Sequence, residues 1–68
     1  MKFKVKLYEN IKKKPTNLRK LSRDTGISRP TLDRWMKRNM KHIEIEKVEI
    51  LCDHFDCEMS DMLEIVDD

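Results

Sequence analysis

A single glycine stands in 68 residues, Gly26, between two segments that each carry apolar residues on one face only. A sharp turn between helices needs a residue that takes the left-handed conformation cheaply, and glycine does so at least cost. Ahead of it, Leu18, Leu21, Ser22 and Thr25 share one helical face, with Arg19, Lys20 and Arg23 on the other. Behind it, Leu32, Trp35 and Met36 form an apolar stripe, and Pro30, Asp33, Arg34 and Lys37 lie opposite. Asn17 and Ser28 occupy the positions where N-caps belong. Pro30 is tolerated in a first turn, whose N–H groups lack intrahelical partners. Two helices meeting across a tight turn also need a small residue at their contact and apolar residues at set offsets. Ser22 supplies the first; Leu21, Ile27, Leu32 and Trp35 supply the second. These features predict a helix-turn-helix over about residues 17–38.

The flanks extend that unit. Leu7, Tyr8 and Ile11 at helical spacing predict a helix over 7–14, ended by Pro15. Asn39 is the expected left-handed stop of the third helix. A fourth helix is expected over about 45–55, with Ile45, Val48, Leu51, Cys52 and Phe55 inward and Ile50 pointing away. A fifth is expected over about 59–64, through Met59, Met62 and Leu63. Phe3 and Val5 alternate with lysines, and Ile65 and Val66 lie among acids, so the two ends can pair as a small antiparallel ribbon. The expectation is one all-α domain over 1–68 with five helices and that ribbon.

Charge divides the chain. Residues 1–42 hold 14 Lys/Arg against Glu9, Asp24 and Asp33, a net +11; residues 43–68 hold Lys47 against ten acids, a net −9. The overall +2 conceals a basic half suited to a polyanion. A domain this small buries only roughly 60% of its unfolded surface, which leaves little room for a catalytic cavity. No apolar run approaches the ~20 residues of a membrane span, and the charged start MKFKVKLYENIKKK does not read as a signal peptide. Two cysteines are too few for a disulfide scaffold. A cytoplasmic protein without enzymatic activity is expected.

The segment LRKLSRDTGISRPTLDRW, Leu18 to Trp35, resembles the Cro/CI-type (XRE-family) helix-turn-helix domains, and the tail IEIEKVEILCDHFDCEMSDMLEIV resembles their fourth and fifth helices. The resemblance implies a compact lambda-repressor-like fold and a third helix in the major groove of double-stranded DNA, its N-terminal half at the base edges. Carried over by position, Arg29, Pro30 and Arg34 are the base readers. An arginine fits guanine O6 and N7 bidentately, and Pro30, lacking a donor, can only meet a thymine methyl or exclude a wrong base. Asp33, four residues after Arg29, either holds that guanidinium or accepts from a cytosine amine; a plain surface ion pair is the competing reading. The candidate phosphate contacts are Arg19 and Arg23, the capping residues Asn17 and Ser28, Thr31, and the loop set Lys37, Arg38, Lys41 and His42.

Departures from the family pattern are specific. Asn17–Leu18 replaces the common Thr-Gln, which keeps the cap and loses the glutamine's phosphate contact. Ser22 replaces the usual alanine, Arg38–Asn39 stands where a glycine is common, and Asp56 takes another frequent glycine position. One unit of this size buries too little surface for tight specific binding, so a homodimer on an operator is expected. Either Ile50 or the Phe3/Val5 and Ile65/Val66 termini are candidate dimer surfaces.

Cys52, His54 and Cys57 read C-x-H-x-x-C, but structural zinc wants four ligands and buried thiols explain the pattern better. No metal, cofactor, membrane or small-molecule partner is expected. The function these features imply is a sequence-specific transcriptional regulator acting as a repressor. The alternative is a protein-interaction module, an antitoxin or accessory factor that uses the acidic half.

Overall fold

In the computed structural model, which describes residues 1–67, the chain runs β1 (Lys2–Val5), α1 (Leu7–Lys13), α2 (Leu18–Thr25), α3 (Arg29–Lys37), α4 (Ile45–Phe55), α5 (Met59–Met62) and β2 (Leu63–Val66). It is a helical domain with one small sheet. Every helix is too short to persist alone in water, so each depends on the face that it buries. Those faces supply Leu7, Leu21, Leu32, Trp35, Val48, Leu51, Cys52, Phe55 and Met62, joined by Ile27 from the turn and Val5 from β1. No helix among the described residues is long and apolar enough to cross a membrane.

The local signals hold at the turn. Asn17 caps α2, its Oδ1 accepting from the Lys20 amide at 2.8 Å. Gly26 ends α2 at φ 77°, its N–H donating to the Ser22 carbonyl, and Ile27 then drops into the core. Thr25 tightens the corner: its Oγ1 donates to the Leu21 carbonyl and accepts from the Ile27 amide. At the end of α4, Asp56 takes the left-handed conformation at φ 53°, as expected where the family favours glycine.

The ribbon forms. β1 pairs antiparallel with β2, Lys2 opposite Val66 through Val5 opposite Leu63. Its pairing ends α5 at Met62, earlier than the expected 64, because Leu63 already belongs to the strand. The same ribbon overturns Asn39 as a left-handed stop: Asp56 is the non-glycine residue with positive φ among those described. Phe3 exchanges two backbone bonds with Met40, at 2.7 and 2.8 Å, and the chain leaving α3 is drawn out extended to meet them.

Three apolar placements differ from expectation. Ile45 is 44% exposed rather than inward, because it opens α4 beyond the reach of the core. Met36 lies at the rim of the α3 stripe and is exposed. In α1, Tyr8 stands out in solvent with the Lys12 ammonium 4.5 Å from its ring centre, while Asn10 is buried. The Asn10 amide donates to the carbonyls of Lys6 (2.7 Å) and Asp61 (3.1 Å), tying α1 to α5. Ile50 points outward as expected.

A Cβ built on Gly26 meets nothing within 4 Å, so only backbone strain opposes a side chain there. Gly26→Ala is therefore expected to lower unfolding free energy by about 1–2 kcal/mol, with Gly26→Asn costing less. Denaturant melts of the two variants check this; equal and larger losses would mean that the turn is held by packing instead.

Candidate nucleic-acid interface

The outward side of α3 follows from its inward side. Thr31, Leu32 and Trp35 are turned into the body, with Trp35 only 5% exposed, so Arg29, Pro30, Arg34 and Lys37 are left in solvent with Asp33 half-buried among them. Trp35 is thus a core residue. Asn17, Arg19 and Arg23 are exposed on α2, and Arg38, Lys41 and His42 on the loop after α3.

Side-chain contacts sort these candidates. Asp33 pairs with Lys37 at 3.1 Å rather than with Arg29. Arg29 and Lys37 each stand four residues from Asp33 along α3, and the lysine takes the carboxylate. The Arg29 side chain is left with no hydrogen bond or ion pair to another described residue, as are the side chains of Arg19, Arg38 and Lys41. Arg34 bonds through Nη2 to the Thr31 hydroxyl at 3.3 Å, a neutral partner that orients the guanidinium without neutralising it. Arg23 lies 3.6 Å from Asp24, both exposed, a pair of little energetic weight.

Two candidates behave differently from their sequence reading. Ser28 sits at the N-cap of α3 with extended backbone, yet its hydroxyl donates to Thr31 Oγ1 at 2.8 Å and caps no amide. Thr31 is buried, its Oγ1 receiving both Ser28 and Arg34. The pair steadies the first turn of α3 from within, and Thr31 offers little surface to an external phosphate. The first turn's amides consequently keep no side-chain cap, which leaves the positive end of the α3 dipole open to solvent beside Arg29.

Helix-turn-helix units turn the N-terminal residues of their second helix toward a duplex, and here that end is basic and carries no side-chain cap. A family model for the Cro/C1-type helix-turn-helix DNA-binding domain matches residues 6–68. The chain belongs to that family. No curated protein and no solved structure matches it. The Cro/C1-type assignment makes it a DNA-binding domain of the class that regulates genes, and its basic half falls on β1, α1, α2, α3 and the following loop.

The face contains a residue whose part sequence reasoning missed. Leu18, at the first position of α2, is half-buried and leans on the core, yet it also lines a hollow together with Arg29, Pro30 and Asp33. Its spacing from Leu21 and Thr25 marked it as inward-facing, and nothing in that spacing shows that a helix's first residue can serve two surfaces. A second contact without a sequence signal is Lys14, whose ammonium donates to the His54 carbonyl at 2.7 Å and satisfies the end of α4.

Cys52 and Cys57 lie beside each other, but the C-x-H-x-x-C run does not assemble a ligand set. Among the described residues, no group of three or more His, Cys, Asp or Glu is placed to hold a metal ion. Cys52 is buried and Cys57 half-buried, both as free thiols. Burial first, then the neighbouring Cys57 and the carboxylates of Asp53 and Glu49, push the Cys52 thiol up to about 11. Below that pH it stays protonated and unreactive. A thiol-specific reagent at pH 8 is therefore expected to modify Cys57 well ahead of Cys52, with the difference lost in denaturant. Equal rates in the folded protein would contradict the packing of α4.

Proposed function

We propose that this Cro/C1-type domain is a sequence-specific transcriptional repressor of lambda-repressor-like architecture. It binds an operator as a homodimer, with α3 in the major groove. The observation that carries the reading is the outward side of α3: Arg29 unpaired and Arg34 held only by a hydroxyl, on a helix whose first turn is open to solvent. Arg29 and Arg34 read guanines, Pro30 limits what fits beside them, and Asp33, tethered by Lys37, accepts from a base amine. Arg19 and Arg23, Asn17 and Ser28 at the helix starts, and Lys37, Arg38, Lys41 and His42 set the register on phosphates, with Thr31 acting through Ser28 and Arg34 rather than by direct contact.

Two-fold symmetry follows from energetics. One such unit covers about 600–1,000 Å², too little for operator affinity. Bodies of 31 × 23 × 21 Å fit side by side on half-sites ~34 Å apart. The acids of α4, α5 and β2 keep the rear of the domain off the duplex and favour one docking orientation. The protein acts in the cytoplasm by occluding a promoter. The competing reading, a protein-interaction module, draws on Ile50, exposed on α4 among Glu46, Glu49 and Asp53.

Selection of sites from random duplex DNA separates the two. Wild type is expected to enrich an inverted repeat, and Arg29→Ala and Arg34→Ala each to blur it, at about 1–3 kcal/mol per lost guanine pair. If six phosphates are neutralised, log Kd changes with log salt at a slope of magnitude about 5. Salt-sensitive binding with no enriched sequence would overturn sequence reading. Loss of function on replacing the α4 acids, with Arg34→Ala silent, would move the activity to a protein partner.

A further inference from the structure

At the corner where the first residue of α2 meets the first turn of α3, Leu18, Arg29, Pro30 and Asp33 line a shallow, open hollow of about 560 Å³. Two of its walls, Leu18 and Pro30, have no side-chain donor or acceptor. The other two are a guanidinium without a partner and a carboxylate fixed 3.1 Å from Lys37. The hollow opens on the same side of α3 that the proposed function sets against DNA, so its occupant is some part of a duplex.

Chemistry narrows that occupant. A phosphate would meet the Asp33 carboxylate at close range and two walls that cannot donate, an arrangement that repels an anion. A polar base edge pressed on Leu18 and Pro30 would lose its water and gain no partner. The one apolar group that any base displays in the major groove is the 5-methyl of thymine. The rest of a T·A pair also suits the walls: thymine O4 accepts, as Arg29 requires, and the adenine N6 amine donates, as Asp33 requires.

We propose that Leu18 and Pro30 form a subsite for a thymine 5-methyl group, so that each half-site carries a T·A pair beside the guanine read by Arg29. The inference rests on the reading of α3 as the major-groove helix. It gives Leu18 a specificity role at a position where the chain has no glutamine to reach a phosphate.

Deoxyuridine differs from thymidine only by that methyl, leaving charge and base pairing untouched. In the duplex enriched by selection, each thymine is replaced singly by uracil and Kd is measured at fixed salt. One position per half-site is expected to weaken binding about fourfold, the effect of losing the burial of roughly one methyl group. Leu18→Ala, checked for folding by thermal melting because Leu18 leans on the core, is expected to bind the T and U duplexes equally. Leu18→Met, which keeps an apolar wall, is expected to retain the discrimination. An enriched site at which every uracil is tolerated would remove the methyl subsite and leave sequence reading intact. So would a uracil penalty undiminished in Leu18→Ala. Failure to enrich any site would instead overturn the reading beneath it, and the subsite with it.

Discussion

The left-handed backbone at Gly26 sets the direction in which α3 leaves α2, and the rest of the candidate face is referred to that direction. Leu21 before the turn and Ile27 and Leu32 after it are all withdrawn from solvent, so the two helices are locked against one core rather than hinged. Thr25 adds local bonds on both sides of the corner. Once Leu32 and Trp35 are committed inward, the 100° step of a helix leaves Pro30, Arg34 and Lys37 no option but the outside. The charged surface is thus a consequence of apolar packing beneath it.

The second device is closure of the chain's two ends. β1 and β2 are distant in sequence and adjacent in space, and β1 also bonds Met40 on its other edge. That bridge fixes where the loop after α3 goes, carrying Arg38, Lys41 and His42 with it. Asn10 fastens α1 to α5 from inside, its buried side-chain amide donating to the Lys6 and Asp61 carbonyls. In a domain this small, where hydrophobic burial alone is marginal, such polar ties hold elements whose apolar faces are narrow.

Electrostatics then act on a settled frame. Along the chain the positive charge gathers on β1 and the first three helices and the negative charge on the last two and β2, with Lys4 of β1 opposite Glu64 of β2. Surface ion pairs such as Lys47–Glu44 at 3.2 Å add little stability each. The separation of charge matters more for orienting the domain in the field of a polyanion than for folding it. Within the basic face, the Asp33–Lys37 pair has one further effect: by engaging the carboxylate it leaves Arg29 unneutralised beside the apolar walls of Leu18 and Pro30.

Much of the fold was legible in residue order because its determinants are local. A lone glycine after an amphipathic run, Asn17 before it, and the 3.6-residue spacing of Val48, Leu51, Cys52 and Phe55 mark turn, cap and core without reference to anything distant. The basic half and the outward set on α3 were legible for the same reason. Tertiary structure decided what depends on neighbours far along the chain. Asn39 stays out of the left-handed region because Phe3 draws the following residue into a bridge. Asn10 goes inside because the Asp61 carbonyl of α5 awaits it, while Ile45 stays outside because the body ends before it. Asp33 turns to Lys37, Thr31 closes on Ser28, and Leu18 acquires a second surface from the helix packed across it. Periodicity assigns a residue to a side of its own helix; only the packed neighbours determine what that side meets.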